Sequence, residues 1–205
     1  MDKLSSNVKT QSRRRFVKKA AVGASLVALP VRSVWANGIT NSIVASGHGS
    51  DWANGASINL QSPRYWFNNL SSSELMISFN STFGGNPVDR TGALMSSDRT
   101  FAEILAPYTT LSQKGVKYRD LSNEQKDLLG KKQYNARLVA MYFNAYFGQD
   151  GSNMHNVVYP VANGRPFQSP EMFATHLYSI TISDPFLSGK QIGQLINEDE
   201  AYSLI

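Results

Sequence analysis

The stretch Leu138-Val139-Ala140-Met141-Tyr142-Phe143-Asn144-Ala145-Tyr146-Phe147 would be apolar nearly all round if wound as a helix, and no other feature constrains the chain as much. A helix at a domain surface keeps one polar face, so a helix without one has to be buried on all sides. The run is too short for the roughly 20 residues that cross a bilayer, so other parts of the chain must cover it. Upstream, Ser122 with Gln125 has the spacing of a capping box, and the helical period continues from Asn123 to Phe147 for about seven turns before Gly148. The sequence therefore predicts a mainly α fold, a single helical domain around a buried central helix at about 123–147, with minor β near the N-terminus of the body.

Further elements are read from breakers and caps. Ser62-Pro63 suits the start of a short helix carrying Arg64-Tyr65-Trp66-Phe67. Residues 74–83 fit two periods: Leu75, Ile77 and Phe79 alternate as in a strand, whereas Met76, Phe79 and Phe83 follow a helical stripe. Helix is the preferred reading, ended by Gly84-Gly85-Asn86-Pro87. A short helix is expected from Thr100 to Ala106, stopped by Pro107, with a polar connection to Leu121. Ser169-Pro170-Glu171 opens another, with Met172, Phe173, Leu177 and Ile180 on its apolar side, and Ser188 to about Glu198 suggests a last one. Apolar alternations at Ile39–Val44 and Ala56–Leu60 account for the expected β structure.

The absence of cysteine excludes disulfide scaffolds, thiolate metal sites and thiol catalysis. Apolar residues at 41% with charged residues at 17% supply enough burial for a packed core. The net charge of +5 is unevenly placed. Residues 1–36 hold Lys3, Lys9, Arg13, Arg14, Arg15, Lys18, Lys19 and Arg32 against Asp2, which leaves 12 basic and 14 acidic side chains for 37–205. A body with that balance has no net attraction for polyphosphate, and no nucleic-acid partner is expected.

Ser12-Arg13-Arg14-Arg15-Phe16-Val17-Lys18 precedes a mild apolar run from Ala20 to Pro30 and then Val34-Trp35-Ala36, whose small residues at the first and third places suit a signal peptidase cutting after Ala36. The segment resembles a twin-arginine signal peptide, with Ser12, Arg13, Arg14, Phe16 and Lys18 at the places of that pattern. The apolar run is too short for a stable membrane span and contains Gly23 and Pro30. The resemblance implies a signal peptide at 1–36, a single domain at 37–205, recognition by the twin-arginine translocase and a periplasmic or secreted destination.

Candidate chemistry is sparse. Of the histidines His48, His155 and His176, none stands at metal-ligand spacing, and His176 follows Glu171 by five residues, off its helix face. Gly47-His48-Gly49-Ser50-Asp51 gathers hydrolase residue types without a nucleophile elbow, and such clusters are ordinary turns. Gln149 to Asn153 echoes a calcium loop, yet Pro160 and Val161 occupy the region where its closing glutamate belongs. Trp52 and the group Tyr65, Trp66 and Phe67 can stack a ligand or fill a core. No metal or other cofactor is expected. The residues Leu121-Ser122-Asn123-Glu124-Gln125, the aromatic helix through Phe143 and the ending at Asn153 resemble small twin-arginine subunits of membrane-bound sugar and gluconate dehydrogenases. That resemblance implies an accessory subunit without a catalytic centre of its own, partnered by a larger oxidoreductase subunit. The alternative is a small exported hydrolase or ligand-binding protein using His48 and Asp51 with Trp52 and Trp66.

Overall fold

Serine, threonine, aspartate and proline residues open most of the helices in the computed structural model. The structure describes residues 59–148, 155–157, 159 and 167–196, all within the unit Asn37–Ile205. Among these residues the fold is mainly helical, with isolated antiparallel bridges at Ser78–Thr100 and Val88–Leu94 in place of strands. The signal-like segment 1–36, the alternation Ile39–Val44 and the first three residues of Ala56–Leu60 lie outside the described residues.

Helix α1 spans Pro63–Asn69; the Ser62 hydroxyl accepts from the Tyr65 amide and Pro63 takes the first turn, where no N–H is needed. The ambiguous residues 74–83 divide between α2 (Ser72–Leu75) and α3 (Phe79–Phe83). Between the two helices, Ile77 and Ser78 are paired with the segment before α4 (Phe101–Leu105): the Phe79 amide donates to the Arg99 carbonyl and the Phe101 amide to that of Ile77. Both sequence periods therefore have a local origin. Gly84, at φ 74°, closes α3 in a left-handed conformation that favours glycine.

Thr100 and Glu103 cap α4 reciprocally. Pro107 does not end helical structure as expected. It opens α5 (Pro107–Leu111), and the supposed polar connection beyond contains a 3-10 turn at Tyr118–Asp120.

The helix expected at 123–147 begins at its capping box but is two helices, α6 (Asn123–Leu129) and α7 (Tyr134–Gly148), joined by a 3-10 turn at Lys131–Gln133. The break sits at Gly130, with φ 75° and ψ 173°, backbone that only glycine adopts cheaply. A side chain there would also collide with Asn135, whose carboxamide nitrogen lies 2.7 Å from where a Cβ would be. Asn135 uses that space to donate to the Val88 and Leu128 carbonyls while accepting from the Val88 amide.

As its composition requires, α7 is central: Tyr134 to Ala145 are all buried. It packs against α1, α4, α8 (Pro170–Thr181) and α9 (Pro185–Leu195). Ser169 caps α8 as the sequence suggests, whereas α9 starts three residues earlier than expected because Asp184 accepts from the Leu187 amide and Pro185 fills the first turn. None of the helices among the described residues is long and apolar enough to cross a membrane.

Candidate functional site

Aromatic residues of α1 and the end of α7 meet His155 in one cluster. Asn144, fully buried in the apolar run, anchors it: its carboxamide accepts from the Gln61 amide at 2.7 Å and donates to the Gln61 carbonyl at 2.9 Å, fixing the residue just before the Ser62 cap. Gln61 Nε2 donates to the His155 carbonyl, and Asn59 Nδ2 to that of Asn156, which has φ 52°. These bonds hold His155 over α1.

The His155 ring is half-buried and contacts three aromatic rings, with centroid distances of 4.4 Å to Phe147, 5.0 Å to Trp66 and 5.9 Å to Tyr65. Its Nδ1 lies 3.0 Å from the Tyr65 hydroxyl, in hydrogen-bond contact. Trp66 is stacked on Phe147 at 5.2 Å and is completely buried, so it forms the floor of the cluster and is not an open stacking platform. Its indole N–H has no hydrogen-bond partner among the described residues. Leaving that donor unpaired costs about 1–3 kcal/mol, a penalty that an acceptor reaching it would relieve.

A second polar contact lies earlier on α7, where the Tyr142 hydroxyl donates to Glu171 Oε1 at 3.1 Å. Burial, reinforced by the Glu171 charge, raises the Tyr142 phenol far above its ordinary range, so it stays a donor. Partial burial would raise the Glu171 carboxyl, but hydrogen bonds from Ser169, its own amide and Tyr142 prevail and lower it. The pair is thus a neutral phenol held by a carboxylate, suited to fixing α7 against α8.

Of the residues singled out in the sequence, Trp66 and His155 come together, and His48, Asp51 and Trp52 lie outside the described residues, as does the loop 149–153. His176 is on α8 beside the Phe167 ring, 5.1 Å between centroids. Among the described residues no three His, Asp or Glu side chains converge as a metal-ligating group. The pairing of Tyr65 with His155 across 90 residues has no local sequence signal. No protein-family description, curated protein or solved structure matches the chain.

Proposed function

We propose that this protein is exported through the twin-arginine route and acts outside the cytoplasm as a non-catalytic accessory subunit of a larger oxidoreductase. The signal-like pattern from Ser12 to Lys18 supports export. The observation that carries the subunit role is a surface one. Tyr146 and Met172 are 45% and 52% exposed beside the Tyr142–Glu171 hydrogen bond: Tyr146 packs on Tyr142, and Met172 follows Glu171 on α8. Tyrosine and methionine are enriched at the centres of protein interfaces, and here both sit on helices already locked together, so little ordering is needed to dock them.

Isolation from the native host tests this. The protein should elute at a size well above its own 22.6 kDa, together with a larger partner that has oxidoreductase activity. Replacement of Met172 by Lys and Tyr146 by Glu should release it. Elution alone, with no partner in either form, overturns the subunit role.

A second reading, a small exported ligand-binding protein or hydrolase, is favoured by the unpartnered Trp66 indole beside His155. It requires a ligand that changes tryptophan fluorescence in the wild type and not in His155→Ala, or a hydrolytic activity lost in His48→Ala.

A further inference from the structure

The first turn of α9 exposes two consecutive apolar side chains, Phe186 at 44% and Leu187 at 47%. Cations flank Phe186. Lys131 Nζ lies 5.7 Å and Lys132 Nζ 5.5 Å from the centroid of the Phe186 ring, and Lys190 is exposed one turn along the same helix face. The turn carrying the first two lysines is fixed: the Lys131 amide donates to the Asp89 carbonyl, Lys131 Nζ to that of Thr91, and the buried Arg137 to those of Lys132 and Gly189. Among the described residues the carboxylates near this group are those of Asp89, turned to its own loop through Thr91, and of Asp184, which caps α9 by accepting from the Leu187 amide. Among the described residues the local balance is therefore positive, even though the body as a whole carries more acidic than basic side chains.

We infer that Phe186 and Leu187, with Lys131, Lys132 and Lys190, form a contact for an anionic lipid surface, holding the protein against a membrane without spanning it. Phe and Leu are side chains that enter the boundary between headgroups and acyl chains, and lysine ammonium groups pair with phosphate at the same depth. The two apolar side chains are consecutive and both exposed, and the Phe186 ring lies beneath two of the lysines. This suits a plane with apolar matter beneath a layer of negative charge. Each lysine near an anionic surface contributes about a fivefold gain in partitioning, so the three together supply on the order of a hundredfold.

The basic segment 1–36 would itself attract anionic vesicles, so the test must report on the patch. The chain has no cysteine, and a single Leu187→Cys can be labelled with a polarity-sensitive dye; Met76→Cys, 66% exposed on the C-cap of α2, serves as the control. With full-length protein and vesicles of phosphatidylglycerol and phosphatidylcholine in equal parts, the dye at 187 should shift to the blue and the dye at 76 should not. Pure phosphatidylcholine should need at least about a hundredfold more lipid for the same shift, since segment 1–36 adds to the preference for the anionic vesicles. Lys190→Gln, fully at the surface, should weaken the response about fivefold, and the triple change of Lys131, Lys132 and Lys190 to Gln should abolish it, with circular dichroism confirming the fold.

Inorganic phosphate at millimolar concentration should leave the shift in place, because the lipid contact includes acyl-chain burial. No shift at 187, equal shifts at both positions, or equal response to the two vesicle types overturns the inference. A shift produced by polyglutamate and not by vesicles also overturns it and assigns the patch to an acidic protein.

Discussion

The guanidinium of Arg137 donates to the carbonyl of Gly189 at 2.7 Å, tying α7 to α9 across 52 residues of sequence. The same guanidinium reaches the Lys132 carbonyl at 3.1 Å, so one buried cation fixes the turn that enters α7 and the helix that covers it. Room for it depends on Gly193: a Cβ there would lie 2.3 Å from Arg137 Cζ. Gly189, one turn earlier, lets α9 approach until a Cβ would stand 3.0 Å from the Lys132 carbonyl oxygen.

Gly193→Ala should therefore destabilise the fold by about 3–5 kcal/mol, since the added methyl displaces a buried charge from its acceptors. Arg137→Met in the Gly193→Ala background should cost less than the sum of the single changes, because both act on the same contact. Urea unfolding of the four proteins gives the coupling. A loss under 1 kcal/mol in Gly193→Ala would mean that the guanidinium moves aside without penalty.

Phe143→Asp should prevent folding. The ring is 1% exposed and packs against Trp66, Phe101 and Tyr142, so an aspartate would bury an unpaired carboxylate at a cost of several kcal/mol, comparable with a typical domain stability of about 5–15 kcal/mol. Phe143→Leu should fold with a reduced melting temperature. A soluble aspartate variant melting near wild type would place this face of α7 against solvent.

Acid should weaken the fold partly through Asp98. Partial burial alone would raise its carboxyl, but hydrogen bonds from Ser78, the Asn80 and Arg99 amides and the Arg99 charge prevail, and its pKa falls below the ordinary 3.8. A carboxyl more acidic in the folded chain contributes stability above its unfolded value, and that contribution disappears as pH falls through the folded value. The urea midpoint measured from pH 6 to pH 2 should decline less steeply in Asp98→Asn than in wild type. Identical slopes would remove Asp98 from the acid response.

Conversion of Arg13 and Arg14 to Lys should stop export, with precursor retained in the cytoplasmic fraction. Recovery of mature protein starting near Asn37 from the periplasm of a strain lacking the twin-arginine translocase would refute the signal assignment.

The features legible in the sequence are those whose physics is local. Ser62 with Pro63, Ser122 with Gln125 and Ser169 with Pro170 each complete a cap within three residues, so the spacing carries the whole interaction. The apolar run through Phe143 likewise dictates burial without naming its neighbours, because hydrophobic burial is not directional.

Tertiary structure decided the polar interior and the surface. Asn135 meets Val88 across 47 residues, Asn144 meets Gln61 across 83 and His155 meets Tyr65 across 90. Directional hydrogen bonds between distant residues leave no period or spacing to read. Gly130 breaks the central helix because Asn135 occupies the space beside it, and Phe186 and Leu187 are exposed because α9 turns Ser188, Gly189, Ile192 and Gly193 towards the core. Which face of a short helix is buried depends on what it packs against, and that is settled only once α7 is in place.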